Sequence, residues 1–284
     1  MQIGLFDIPP DELPLAAETG ADIVHWYGLQ YCEPNMVVRK EFFTKKYQDY
    51  MVYMDQAHSL GMKVMVEVPR IVFGPVRPEP YERKMFFRRV TRHPAFHSWY
   101  LADEPEINKN VYRKWDDVSL DGVYTEISSI QDIVTRTKSA NTRIATLYYH
   151  KHLPICSPYW TDQYMLSLYT LRKHWWGDWL SVRWAPLLWK LMALRYRVEN
   201  IIPIIQTHDL TRFDMPFDTK FYRDPTLEEM SYWVDKAKTM KFPEVWFWGF
   251  HANDMGKTLY TLTDPDRLEQ AKVLIARAKE VCAT

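Results

Sequence analysis

Short apolar runs alternate with longer amphipathic segments along most of this 284-residue chain. A short, continuously apolar run is typical of a strand buried on both faces, whereas an amphipathic helix repeats its apolar residues about every 3.6 positions. The alternation therefore predicts βα units arranged around a parallel sheet. The eight predicted strands are Ile3–Ile8, Ile23–Tyr27, Lys63–Val68, Ser98–Ala102, Arg143–Tyr148, Gln163–Leu168, Ile202–Gln206 and Glu244–Gly249.

Three segments between these strands have clear helical patterns, at Glu41–Leu60, Leu120–Lys138 and Thr226–Met240. The last one opens with Thr226-Leu-Glu-Glu229, the spacing of a capping box, which fixes the start of a helix. Strands and helices in this rhythm, within the usual length of one barrel, predict a single (β/α)8 TIM-barrel domain over residues 1–284.

The alternative fold is a doubly wound open sheet, but no glycine-rich phosphate loop follows the first strand. Two irregular insertions are predicted, Arg70–Phe87 after the third strand and Leu171–Asn200 after the sixth. Both follow carboxyl ends of strands, where a barrel places the loops that build its active site.

Charge and aromatic content narrow the ligand class. Lys plus Arg and Asp plus Glu both total 36, so no overall field favours nucleic acid or an anionic membrane as partner, and a neutral ligand fits best. The chain has 12 Trp and 18 Tyr, and their rings suit the flat faces of sugars, although most of them must belong to the core. Five of these tryptophans cluster near the sixth strand and are expected to form mainly a buried face: Trp175, Trp176, Trp179, Trp184 and Trp189.

Three widely spaced cysteines give neither a disulfide framework nor the spacing of metal ligands, so no cofactor or metal is predicted. The chain as given has no basic leader and no apolar stretch of bilayer length. We therefore expect a soluble protein, with its oligomeric state and compartment left open.

The fourth strand ends in adjacent carboxylates, Asp103 and Glu104, followed by Pro105, which stops the strand. Burial and mutual repulsion can separate the pKa values of paired carboxyl groups, so that one donates a proton while the other stays ionised. If its position in a barrel is not considered, this acidic pair is more typical of a solvated strand end.

Polar side chains follow most of the predicted strands, and in a barrel they would meet at one mouth. This predicted rim is acidic, aromatic and poor in cations, which suits glycoside cleavage and does not suit phosphate or a metal. The candidate catalytic residues are Glu104, Asp103 and Glu67. The candidate substrate-binding residues are Asp7, Tyr27, Arg70, Tyr148, Tyr169, Gln206, Asp209 and Trp248.

Several of these residues have structural interpretations as well. Glu67 alternates with valines and could form an ion pair with Arg70. Asp7, which precedes two prolines, could cap the turn into the first helix. Asp209 could cap the loop in which it lies, whereas Gln206 could bind a sugar hydroxyl.

Four segments in order resemble the (β/α)8 glycoside hydrolase superfamily, and most closely its little-characterised barrels whose fourth strand ends in Trp-Tyr-Leu-x-Asp-Glu-Pro. They run from His58 to Pro69, from His93 to Pro105, from Pro203 to Gln206 and from Arg223 to Gly249. The resemblance implies that Glu104 is the general acid/base, next to Asp103 where the retaining clan usually has Asn. It also implies that Trp248 stacks on the reacting sugar.

The chain departs from that pattern at two strands. Gln206 replaces the nucleophilic glutamate of retaining members, and Ser167-Leu-Tyr169 replaces Asp-x-Tyr. A double-displacement mechanism is therefore in doubt, and the partner of Glu104 is left open among Asp103, Glu67, Asp7 and Asp209.

The sequence thus predicts a glycosidase that cleaves an oligo- or polysaccharide by carboxylate acid/base catalysis. One alternative is a carbohydrate-binding barrel without catalysis, since acids are missing at Gln206 and Ser167. Another is a lyase or isomerase, for which a tightly bound metal would be the distinguishing observation.

Overall fold

The structure, a computed structural model, describes residues 1–29, 40–68, 80–103, 143–149, 163–167, 177–207, 225–248, 250, 252–254 and 257–280. The chain divides into two compact units. Unit 1 comprises Met1–Val24 and Met165–Thr284, and unit 2 comprises His25–Tyr164. The prediction of one domain stays a prediction.

The described residues form an α/β protein in which strands and helices alternate. The strands are β1 Gln2–Leu5, β2 Ile23–His25, β3 Lys63–Glu67, β4 Phe96–Asp103, β5 Arg143–Tyr149, β6 Gln163–Ser167, β7 Ile201–Gln206, β8 Glu244–Trp248, β9 Ala252–Asp254 and β10 Lys257–Tyr260. The helices are α1 Leu13–Glu18, α2 Lys40–Ser59, α3 Pro80–Thr91, α4 Gly177–Tyr196, α5 Leu227–Thr239 and α6 Pro265–Lys279.

In unit 1, four parallel strands lie in the order β7, β8, β1, β2. Ile204 lies opposite Trp246, Gly4 lies opposite both Trp246 and Ile23, and β9 pairs with β10 as a separate antiparallel hairpin. Both β7 and most of β8 are fully buried, which explains why apolar residues follow one another without alternation in Ile201–Ile205 and Val245–Trp248.

A glycine is required at position 4 because the Trp246 ring lies directly over it. A Cβ atom there would come within 2.1 Å of the indole. Trp246 in turn packs against Phe6 with the ring centroids 5.2 Å apart. The close approach of β1 and β8 therefore depends on this pairing of the smallest and the largest side chain.

Buried polar contacts join the outer elements of unit 1. The Trp233 indole on α5 donates a hydrogen bond to the Val182 carbonyl on α4 at 2.7 Å. Glu12 is buried, and its carboxylate accepts hydrogen bonds from the Leu262 backbone N–H at 3.0 Å and from the Thr261 hydroxyl. These contacts fix α4 to α5, and the start of the chain to the segment before α6.

In unit 2, β3, β4 and β5 run parallel in that order, with Val66 opposite Trp99 and Trp99 opposite Ile144. Trp99 is fully buried against Phe86 and Phe87 of α3, with ring centroids 6.0 and 5.0 Å away. Aromatic packing therefore forms the contact between this sheet and its helix.

Each predicted strand overlaps an observed one, and the differences lie at the ends. β1 stops at Leu5 rather than Ile8, and Asp7 just beyond it has a left-handed backbone with φ 56°. β4 is longer than predicted and starts at Phe96. The capping box of α5 is confirmed, with Thr226 and Glu229 bonded reciprocally at 2.8 and 3.2 Å.

Both predicted irregular insertions need correction, because much of each is helical. Residues 80–87 belong to α3, and residues 177–196 form α4. In α4, Ala185, Trp189 and Met192 are buried at helical spacing, so Trp189 lies in a buried face as expected, whereas Trp184 is 47% exposed. The predicted helix Leu120–Lys138 lies outside the described residues.

In the part of the chain that is described, no helix is long and apolar enough to span a bilayer.

Candidate functional site

The sequence-predicted residues of unit 2 lie at the carboxyl ends of neighbouring strands. Glu67 is the last residue of β3, Asp103 is the last residue of β4, and Tyr148 is the penultimate residue of β5. Because these three strands are parallel and adjacent, the three positions share one edge of the sheet. The structure thus brings two of the three candidate catalytic residues to the same edge.

The pairing of β4 with β5 is irregular just before this edge. Tyr100 lies opposite Ala145 and Asp103 lies opposite Leu147, so β4 has one more residue than β5 between these pairs. Such a bulge increases the local twist and is common beside active sites. The irregularity lies between Tyr100 and Asp103, and the regular pairing of β4 with β5 therefore ends before the last residue of β4.

Glu67 is a buried carboxylate, with 3% of its surface exposed. Lys, Glu, Arg and Asp are rarely buried to this extent unless the site uses or compensates the charge. Tyr50 of α2 is fully buried close by, and burial, followed by the negative charge of Glu67, raises the pKa of its phenol. Tyr50 therefore stays protonated and offers an O–H group near a buried carboxylate.

An aromatic box lies beside Glu67. His25, Tyr27 and Tyr100 are all buried, and Tyr100 is the register partner of Glu67. The His25 ring meets Tyr27 and Tyr100 edge to face, with centroids 4.5 and 4.8 Å apart, and the two tyrosine rings are 6.2 Å apart. Burial lowers the pKa of His25 to about 3, so its imidazole is neutral at physiological pH.

A second group of packed aromatic rings centres on Trp26, which stands between His25 and Tyr27 in the sequence. Trp26 stacks on Tyr50 with a centroid distance of 5.6 Å and an interplanar angle of 7°, and its centroid lies 5.0 Å from that of Tyr53. A Cβ atom at Gly28 would come within 2.6 Å of the Trp26 ring. The chain after β2 thus depends on glycine to fold back over this indole.

Unit 1 places a second group of predicted residues at strand ends. Gln206 ends β7 and lies opposite Trp248, which ends β8. The backbone N–H and the hydroxyl of Thr207 both donate to the Trp248 carbonyl at 2.9 Å. Arg267 donates to the Thr207 carbonyl at 2.8 Å. Gln206 is buried and Trp248 is partly exposed, so this edge presents an amide beside an accessible indole.

Asp7 belongs to the same edge, since it follows β1, the strand next to β8. Its φ of 56° lies in the left-handed region, which few residues other than glycine occupy and in which Asn, Asp and His are the most frequent of them. Asp7, Gln206 and Trp248 therefore mark the carboxyl ends of three adjacent strands of unit 1.

Four sequence-predicted residues lie outside the described residues: Glu104, Arg70, Tyr169 and Asp209. Their roles stay predictions. In the described ranges, no group of three or more His, Cys, Asp or Glu side chains could hold a metal ion.

The sequence interpretation missed Tyr50 and Tyr100 as neighbours of Glu67. Tyr100 was visible as part of the fourth-strand motif, but its register with Glu67 depends on strand pairing. Tyr50 lies 17 positions before Glu67 on α2, and no local pattern predicts that this helix brings a phenol close to the strand end.

No known protein family matches the chain, and no curated protein matches it in sequence. Solved structures do match in fold. A GH5_18 protein from Streptomyces cattleya, solved with GlcNAc, is 12% identical with a TM-score of 0.66 over 100% of this chain and 81% of its own. A variant GH5_18 protein from Bifidobacterium longum subsp. longum, solved with Manβ1-4GlcNAc, is 12% identical with a TM-score of 0.68 over 100% and 80%.

A β-glucuronidase from Ruminococcus gnavus is also similar, at 13% identity and a TM-score of 0.55 over 98% of this chain and 50% of its own. The chain therefore has the α/β fold found in glycoside hydrolases. At these identities the likeness concerns the fold, and the chemistry must be argued from the chain's own residues.

Proposed function

We propose that this protein is a glycoside hydrolase that cleaves an oligo- or polysaccharide by carboxylate acid/base catalysis. The observation that carries the proposal is the buried Glu67 at the end of β3, next to a strand that ends at Asp103 and leads directly into Glu104. Acids at adjacent strand ends supply the proton donor and the charge that glycosidic cleavage needs.

We further propose that the eight parallel strands β1 to β8 close into the (β/α)8 barrel predicted from the sequence. The alternation of elements supports this, and so does the coverage of the whole chain by the GH5_18 structures. In such a barrel the carboxyl ends of all strands build one site.

In the proposed mechanism, Glu104 protonates the glycosidic oxygen and Asp103 orients the substrate or tunes the pKa of Glu104. Glu67 is a candidate second carboxylate. Its register partner is Tyr100, three residues before Asp103 on the neighbouring strand, so Glu67 and Asp103 lie on different strands. An inverting mechanism would suit such a partner, because it tolerates the wider carboxyl separation of roughly 6.5–9.5 Å. Asp7 and Asp209 remain alternative bases.

Sugar binding is proposed for the remaining strand-end residues. An amide such as that of Gln206 both donates to and accepts from hydroxyl groups, but it cannot act as a nucleophile. The partly exposed Trp248 offers a face for a sugar ring. The other proposed contacts are Asp7, Tyr27, Arg70, Tyr148, Tyr169 and Asp209.

The test is product release from a panel of saccharides that begins with Manβ1-4GlcNAc, GlcNAc oligomers and an aryl glucuronide. We expect cleavage by the wild-type protein and a loss of about 10³-fold or more in Glu104→Gln, which keeps the size of the side chain and removes its proton. Near wild-type turnover by that variant would exclude Glu104 as the acid.

A matched pair of buried glutamates tests Glu67. Glu67 and Glu12 are each 3% exposed, but Glu12 accepts hydrogen bonds from the Leu262 backbone N–H and the Thr261 hydroxyl of unit 1. Glu67→Gln is expected to lower kcat by about 10²-fold or more, with a small change in stability. Glu12→Gln is expected to lower stability and to leave kcat per folded molecule unchanged. If the two variants behave alike, Glu67 is structural.

A second candidate function, carbohydrate binding without catalysis, is favoured by Gln206 at the end of β7. It predicts saccharide affinity in calorimetry with no product after long incubation. Any cleavage that Glu104→Gln abolishes would exclude it.

A further inference from the structure

Helix α4 has two apolar faces. One face is buried in unit 1 and includes Ala185, Trp189, Met192 and Tyr196, each at most 8% exposed. The other face is solvent-exposed, although a surface helix normally carries polar residues there. Four of the nine large apolar side chains exposed in the described part of the chain lie on it: Trp184 at 47%, Leu187 at 45%, Leu191 at 51% and Leu194 at 78%.

These four residues, here called the α4 stripe, are spaced by three, four and three positions. At 100° per residue they fall within an arc of about 80°, and they extend along about 15 Å of the helix. This is the a/d pattern with which one helix packs against another.

Cations border the α4 stripe on both sides. Arg183 and Lys190 lie four positions before Leu187 and Leu194 on one side of the stripe, and Arg195 lies four positions after Leu191 on the other side; all three are exposed. Between Val182 and Asn200 the acidic residue is Glu199, which is within 4.0 Å of Arg197 beyond the end of α4. Complementary charge at the borders of a helical seam is what selects a partner helix.

A cleft of about 500 Å³ continues the α4 stripe at its carboxyl end. Its lining is apolar at Ala193, Leu194, Val198 and Met240 and charged at Lys190, Arg197 and Glu199. A bulky side chain of a docked helix could enter this cleft, as anchor residues do at other interfaces.

We propose that the α4 stripe and its cleft bind an amphipathic helix of a partner protein, with apolar residues at 3-4 spacing and acidic residues on both borders. A second copy of α4 is disfavoured because symmetric pairing would set cations opposite cations. A membrane surface is disfavoured because the apolar arc is narrower than the roughly 100° face of a helix that buries one side.

Two synthetic peptides of about four heptads test this, both with Leu at a and d, one with Glu and the other with Lys at e and g. In fluorescence anisotropy we expect the Glu peptide to bind at least about 10-fold more tightly than the Lys peptide. The double variant Leu187→Ser/Leu191→Ser should bind the Glu peptide at least about 10-fold more weakly than the wild type does. Arg183→Glu/Lys190→Glu/Arg195→Glu should reverse the preference.

The control is Val52→Ser, at an equally exposed apolar position on α2, which should leave binding unchanged. Circular dichroism checks that each variant is folded. Equal binding of both peptides, or binding of neither, would overturn the proposal. So would a dimer in sedimentation velocity that Leu191→Ser dissociates, which assigns the surface to a second copy. Binding to phosphatidylserine vesicles that depends on the same leucines would assign it to a membrane.

Discussion

The imidazole of His25 and the phenol ring of Tyr100 pack edge to face, with centroids 4.8 Å apart and both side chains fully or almost fully buried. A charged imidazolium is unfavourable in this aromatic box because water cannot reach it. Both residues belong to unit 2, and Tyr100 is the register partner of Glu67. Protonation of His25 is therefore expected to disfavour the folded state.

Because of His25, the free energy of unfolding is expected to decrease as the pH is lowered. Its pKa is about 3 in the fold and about 6.5 in the unfolded chain, so below pH 6.5 the unfolded state binds a proton that the folded state does not. The free energy of unfolding should decrease between about pH 6.5 and 3, by up to about 1.4 kcal/mol per unit. Urea unfolding of the wild type and His25→Phe at several pH values measures this.

The exposed His58→Gln is the control for that series and should keep the wild-type slope. A His25→Phe protein whose stability still falls as steeply as the wild type would assign the acid sensitivity to other groups.

Trp248 is expected to contribute to saccharide affinity. Trp248→Ala should raise KM or Kd by about 10-fold, because the apolar face for the sugar is lost, whereas Trp248→Phe should keep most of the affinity. The Thr207 hydrogen bonds go to the backbone carbonyl of residue 248, so they persist in both variants. Isothermal titration calorimetry distinguishes them, and equal affinity in Trp248→Ala would contradict a stacking role.

Gly4→Ala should destabilise unit 1 by about 3 kcal/mol, since the added methyl group overlaps the Trp246 ring. The matched test is a double-mutant cycle with Trp246→Leu, in which the double variant should be more stable than the sum of the single changes predicts. Additive effects in guanidinium unfolding would show that position 4 is limited by something other than the indole.

Thr226→Ala should lower the free energy of unfolding by about 1 kcal/mol, because the Glu229 backbone N–H loses its side-chain acceptor at the start of α5. The control is Thr239→Ala at the other end of the helix, where the hydroxyl only donates to the exposed Asp235 carbonyl. That change should stay within about 0.5 kcal/mol. Equal losses of stability in the two variants, measured by thermal unfolding, would show that the capping box contributes no more than an ordinary exposed hydroxyl.

The sequence was a good guide to the elements and a weaker one to the site. Strands such as β8 contain an uninterrupted apolar run, Val245–Trp248, and the Thr226 capping box is a local signal, so both could be predicted. The helix α4 was taken for an irregular insertion because its two apolar faces blur the amphipathic pattern on which prediction depends.

The residues of the candidate site also differ in whether the sequence could predict them. Glu67, Gln206 and Trp248 could be identified because each stands at the end of an apolar run. The neighbours that define their environment, such as Tyr50 beside Glu67 and Thr207 on the Trp248 carbonyl, could not, because they are set by packing and register.

The sequence by itself thus determined the order of strands and helices and the residue types at the strand ends, since these depend on hydrophobic periodicity and on local capping. Only the tertiary structure decided which side chains meet. The burial of His25 against Tyr100, the indole over Gly4 and the exposure of the α4 stripe all depend on contacts between residues far apart in the chain. Such contacts are governed by side-chain packing, which a local pattern does not encode.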